Sequence, residues 1–120
     1  MEANELRVGN WVSVNNFHTV QVWAIKPPEI VVRGAASFHA EMKEVQGIPL
    51  TEEWLKRADF NFKGFLRKEF IRNGKIITFY LCDVSGYGFE TSQGIKRIHF
   101  VHQLQNLFFA LEQEELKFRF

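Results

Sequence analysis

The sequence predicts an α+β fold in a single domain spanning residues 1–120, and three observations carry that expectation. Short runs of alternating apolar residues fill the first fifty positions, and Asn73-Gly74 sits between two further runs. Val101, Leu104, Leu107, Phe108 and Leu111 recur at helical spacing. Residues 1–50 read as a barrel-like antiparallel β part. Residues 51–120 read as a short helix, an antiparallel hairpin-based sheet and a C-terminal amphipathic helix packed on that sheet. A chain of 120 residues has room for one hydrophobic core. Thirteen phenylalanines make that core one of large flat side chains, each burying roughly 150–250 Å².

Each element has a local cause. Leu6, Val8, Val12 and Val14 alternate with polar neighbours, interrupted by Gly9-Asn10. Asn15-Asn16 reads as a turn, because asparagine tolerates left-handed backbone and bonds its own main chain. The run Val20 to Ile25 is apolar on most of both faces, and Pro27-Pro28 must end it, since proline donates no ladder hydrogen bond. Ile30-Val31-Val32 restarts a strand that Gly34 ends. With Val45 to Leu50 closing the set, these strands suggest a small sheet curled into a partial barrel. Residues 35–44 fit a loop or a single helical turn.

Thr51 is a good N-cap, Glu52 and Glu53 complement the positive end of the helix dipole, and Leu50 with Leu55 sit where a hydrophobic staple places them. This helix ends near Asp59. The Asn73-Gly74 hairpin pairs Phe70 with Ile77, Lys68 with Phe79 and Leu66 with Leu81. A one-residue bulge would exchange the faces. Strands around Tyr87 to Thr91 and Ile95 to Phe100 follow. The second helix runs from about Val101 to Leu111 or slightly beyond, and Leu116, Phe118 and Phe120 alternate as a last edge strand would.

Charge narrows the function classes little. Fifteen basic residues against fourteen acidic create no global field toward nucleic acid or an anionic membrane. One cysteine, Cys82, fits a reducing compartment. Glu2, Asn4, Glu5 and Arg7 interrupt any signal-peptide core, and no apolar run approaches the roughly 18 residues of a spanning helix. The expected location is cytoplasmic, with no membrane partner.

No sequence pattern declares an enzyme. His99 and His102 lie three apart across a strand-to-helix junction, with His18 and His39 on undefined loops, and the spacing of metal sites is usually tighter. No metal ligand, cofactor or catalytic residue is therefore assigned, although a small metal-dependent enzyme is the third reading. Cys82 lacks a neighbouring base and reads as core filler.

The stretch from Lys63 to Lys75 is more suggestive. Lys63, Arg67, Lys68, Arg72 and Lys75 face only Glu69, with Phe62, Phe65 and Phe70 interleaved. Cations for phosphate and rings for base stacking are the tools of single-strand binding. Gly86-Tyr87-Gly88-Phe89 matches the centre of an RNA-recognition motif, adding Tyr87, but the flanks and the element order fail it. A charged hairpin edge explains the same residues, because edge charges discourage strand pairing between molecules.

Leu6 to Val12 resembles the opening of SH3-like barrels, which bind peptides or nucleic acids through exposed aromatics; Trp11, Phe17 and Trp23 are the candidates here. Leu6 to Val12, Ile48 to Leu55 and Val101 to Leu111 together resemble a family of short uncharacterised proteins of anaerobic gut bacteria and their phages and mobile elements. The resemblance covers most of the chain. It implies a cytoplasmic, phage-associated protein and carries over no catalytic residue. Such chains usually place a glycine-containing turn after the last helix, whereas Glu112 to Glu115 would let this one continue.

His102, Gln103, Gln105 and Asn106 give the last helix an amide-rich surface. Neutral hydrogen-bonding side chains suit docking onto another chain, or onto this chain's own loops and backbone. The expected function is a non-catalytic binding or adaptor module acting by protein–protein contact, through these residues with Trp11 and Trp23, on a protein partner or a second copy. Nucleic-acid binding through the hairpin is the alternative.

Overall fold

The computed structural model describes residues 1–16, 18–62, 67–72, 75–83, 86–91 and 94–120, with side chains described throughout except at 61–86 and 89–96. The fold is mixed α+β. It divides into two compact units, Met1–Pro49 with Phe100–Glu115 and Leu50–His99 with Leu116–Phe120. Among the described residues there are two α-helices, α1 (Glu52–Arg57) and α2 (Val101–Glu112).

The first unit holds an open antiparallel sheet rather than a closed barrel. Its strands are β1 (Trp11–Val14), β2 (His18–Lys26), β3 (Glu29–Arg33), β4 (Ser37–Glu41) and β5 (Val45–Gly47), in the order β4-β3-β2-β1-β5. Residues 35–44, legible only as a loop or a helical turn, supply edge strand β4 and a 3₁₀ turn over Met42–Glu44. Asn15 and Asn16 both take left-handed backbone, with φ 54°, which turns β1 into β2. β2 stops at Lys26, before Pro27-Pro28.

Cross-strand pairing sets the core. Val12 opposes Val20, Val14 opposes Val45, Val22 opposes Val32 and Ile30 opposes Ala40. All eight are buried, and Leu6 joins their cluster. Small β-branched residues suit this layer because they pack tightly on a pleated surface with little rotamer entropy to lose. In β2 the register passes from Val22↔Val32 to Ala24↔Val31, so Trp23 is the extra residue of a β-bulge. That bulge explains why strict alternation fails along β2.

Helix α2 belongs to the first unit, not to the hairpin sheet on which its sequence suggests it packs. Its buried residues are Val101, His102, Leu104, Gln105 and Phe108. This stripe is rotated from the one that periodicity marks, leaving Leu111 exposed and drawing two polar side chains inside. The Val101 amide donates to the Ile48 carbonyl at 2.9 Å. At Gly47 a side chain has no room: a Cβ there would lie 2.6 Å from Phe100 Cγ and 3.1 Å from His102 Cε1. The helix ends with Gln113 in left-handed backbone, its amide bonded to the Phe109 carbonyl. Gln113 thus does what glycine usually does at a helix C-terminus.

The second unit holds β6 (Asn61–Phe62), β7 (Arg67–Arg72), β8 (Lys75–Asp83), β9 (Gly86–Thr91) and β10 (Gly94–Ile98), in the order β10-β9-β8-β7-β6. The pairs Phe70↔Ile77 and Lys68↔Phe79 have the register a two-residue turn dictates. Asn73-Gly74, Leu66 and the side chains of this hairpin lie outside the described residues.

Thr51 caps α1, its hydroxyl oxygen accepting the Trp54 amide at 3.4 Å, and Trp54, Leu55 and Ala58 are buried. Left-handed Asp59, at φ 68°, follows. The C-terminal residues do not form the expected edge strand. The Arg119 amide donates to the Arg57 carbonyl at 2.7 Å, satisfying a helix-end acceptor with no partner inside the helix. Phe118 and Phe120 meet Trp54 edge-to-face, with centroids 5.2 and 5.6 Å away. The indole face makes α1 a better seat for these rings than a strand edge.

Candidate functional site

The amide-rich surface of α2 faces inward. Gln105 is 1% exposed. Its side-chain oxygen accepts the Trp11 amide at 2.8 Å, and its nitrogen donates to the Gly9 carbonyl at 3.0 Å. That carbonyl also accepts from the Gln21 side chain at 2.9 Å. Gly9 has φ +98°, a conformation costly for any residue with a Cβ, and it presents its carbonyl at the mouth of β1.

Asn106 extends the same network. Its oxygen accepts from Asn10 Nδ2 and from Arg7 Nε, both at 2.9 Å, while its nitrogen donates to the Glu5 carbonyl. Asn10 is fully buried and accepts the Arg7 amide on Oδ1 at 2.7 Å. Arg7 then pairs with Glu115 at 2.6 Å and lies 4.2 Å over the Phe109 ring. Gln103 has a third duty, accepting the Phe100 amide at 3.1 Å at the start of α2. Gln103, Gln105 and Asn106 therefore close this chain's own backbone groups instead of forming an open docking face. The intramolecular use of these amides is the one the geometry shows. Asn10 and Arg7 were not legible as its other half; the Gly9-Asn10 interruption before β1 was the available signal.

His102 is buried as well, at 2% exposure, and stacked on Phe100 with centroids 5.8 Å apart and planes 14° off parallel. Its Nδ1 has no hydrogen-bond partner among the described residues. Burial pushes the imidazole pKa below its ordinary value, with the Glu5 charge opposing the shift. A surface role for His102 is thereby replaced by a packed one.

The aromatic candidates separate. Trp11 is half-buried, whereas Trp23 is 53% exposed. The Arg33 guanidinium lies 4.8 Å over the Trp23 ring, and Arg33 pairs across strands with Gln21, itself opposite Trp11. Trp11, Gln21 and Arg33 thus share the face of the first sheet opposite its valine core, and Trp23 lies against Arg33 there. Phe17 lies outside the described residues.

The remaining candidates have surroundings of their own. His18 contacts Phe38 edge-on, His39 lies 3.6 Å from Glu29, and His99 is exposed. No cluster of three metal-ligating side chains occurs among the described residues. Tyr87 is 8% exposed, so its ring is not a free stacking platform. Burial, then the Glu52 charge, raises its phenol pKa. Lys63 and the side chains of Arg67, Lys68, Arg72, Lys75 and Cys82 lie outside the described residues; the hairpin backbone places Arg67 opposite Tyr80 and Arg72 opposite Lys75.

Charge, balanced over the whole chain, is divided by the fold. The first unit carries four Lys and Arg against eight Asp and Glu, giving −4, and the second eleven against six, giving +5. A cut at residue 50 conceals this, because Glu112, Glu114 and Glu115 travel with α2 into the first unit.

Comparison with protein-family models, curated proteins and solved structures gives no match. Among the described residues no helix is long and apolar enough to cross a membrane.

Replacing Gln105 with alanine removes the side chain that bonds the Trp11 amide and the Gly9 carbonyl, at a position only 1% exposed. Q105A is expected to lose roughly 1–3 kcal/mol of stability, the cost of an unsatisfied buried polar group, plus a cavity term. Q103A, at a helix end, should lose less. Urea unfolding of both variants checks the order.

Proposed function

We propose that this protein is a non-catalytic binding or adaptor module that acts by protein–protein contact through the outer face of its first sheet. The observation that supports the reading is Trp23. A β-bulge sets an indole half-exposed, outside the strand's ordinary alternation, with an arginine stacked on it. Bulges recur where a strand must re-aim a side chain, and Trp and Arg are the residues most enriched among binding hot spots. Half an indole in water gives little to the fold, so its placement is better accounted for by a partner.

We read the sheet as an open SH3-like arrangement: four consecutive antiparallel strands, a 3₁₀ turn, and a fifth strand that returns to pair with the first. The resemblance to short proteins of gut anaerobes and their phages gives the proposal a cytoplasmic, phage-associated setting. A second copy of the chain is the simplest partner to test first.

Trp23→Ser should leave the urea midpoint nearly unchanged, because exposed positions tolerate substitution within about 0.5 kcal/mol. It should abolish the association of the purified chain with itself, seen by light scattering, or with a protein enriched from a lysate of its source. Retention of every association by a folded W23S protein would refute the proposed surface.

A second reading rests on the charge division. The unit built on β6–β10 carries +5, and its basic residues are densest along the hairpin. We infer single-stranded nucleic acid as the alternative partner. Counterion release makes such binding fall steeply with salt. Fluorescence anisotropy with a labelled oligonucleotide should then show affinity at low ionic strength that fades by physiological salt. No binding at low salt removes this reading.

A further inference from the structure

We infer that the first turn of α2 is a proton-operated latch, with His102 as its sensor and the seam between α2 and β5 as the element it releases. Four features of the seam converge on this. The ring is nine-tenths buried and more, so the imidazolium would give up nearly all of its hydration. Protonation makes Nδ1 an N–H donor, and no acceptor for it occurs among the described residues. His102 is the second residue of α2, where the helix dipole presents its positive end and disfavours a cation. Finally, Gly47 and Phe100 close on the ring: a Cβ on Gly47 would sit 3.1 Å from His102 Cε1, and Phe100 stacks on it. The ring is therefore held close against β5 on one side and Phe100 on the other.

Among the described residues of the first unit, the charges that face the latch are few. α2 has no ionisable side chain other than His102 before Glu112, and β1 and β5 have none. In the segment before β1, the Glu5 charge favours the imidazolium, and Arg7 is engaged by Glu115. Glu44, beside β5, lies within hydrogen-bond reach of the Asn15 side chain at 3.3 Å.

The sign follows from linkage. His102 has a lower pKa folded than unfolded, so its contribution to stability is complete above the unfolded value of about 6.5 and is lost as pH falls below it. The latch is shut at neutral pH and opens on acidification. Because Gln105 follows one turn later, opening also loosens its hold on Trp11 and Gly9. The inference does not depend on the proposed partner surface at Trp23.

The experiment compares the wild-type chain with His102→Phe, which keeps a flat ring and removes the titration. Urea unfolding and native-state hydrogen exchange of the Leu104 and Gln105 amides are measured at pH 7.5 and 5.5, corrected for intrinsic exchange. The wild type should show a roughly tenfold rise in the open population at the lower pH, with H102F unchanged within about twofold. Parallel pH dependence in the two proteins would overturn the latch. Should H102F not fold, an NMR titration of the wild-type ring decides. Signals that stay neutral below pH 6.5 until the α2 amides open support it; a reversible transition near 6.5 without opening overturns it.

Discussion

Two hydrogen bonds from one side chain fix α2 to the start of β1 in the first unit. Gln105 accepts from the Trp11 amide and donates to the Gly9 carbonyl, joining positions more than ninety residues apart in sequence. The constraint is geometric. The chain enters β1 through a left-handed glycine, and Gln105 bonds the carbonyl and the amide on either side of Asn10. Buried backbone groups of this kind need partners. A glutamine supplies donor and acceptor at the spacing of one amide, so this helix, in this rotation, is the one that fits.

Much else follows from that fit. Turning Gln105 inward brings His102, one turn earlier, onto the same buried side, and leaves Leu111 outside. The ring of His102 then needs space beside β5, which the missing side chain of Gly47 provides. Asn106 lies beside the seam and gathers Arg7, Asn10 and Glu5. A seam of neutral amides costs less to bury than one of charges, because each group finds a partner without Born desolvation. The single ionisable group inside it, His102, is for that reason the group that makes it sensitive to protons.

Features set by neighbours in sequence were legible: the Asn15-Asn16 turn, the stop at Pro27-Pro28, the Thr51 cap and the hairpin register. Each is decided within a few residues by φ preference, capping or alternation. What depends on distant partners was not. Helical periodicity marked Leu107 and Leu111 for the core, because hydropathy cannot see that Gln105 has a backbone to satisfy. The same amides, read as a surface for another molecule, had their partners in this chain. Edge strand β4, Ser37–Glu41, has little alternation to show because four of its five residues are exposed. The charge division was invisible for a topological reason: the acidic end of α2 belongs with a sheet formed at the other end of the chain. Trp23 was singled out for the kind of residue it is, but its exposure depends on a bulge that its own strand does not announce.

The exchange rate of the Trp11 amide proton tests the clamp most directly, since it reads the bond to Gln105 without altering the protein. If Gln105 holds it, this amide exchanges as slowly as those of Val12 and Val22 in the core strands. Exchange at the rate of an open loop would mean that Gln105 does not hold the mouth of β1, and would contradict the clamp.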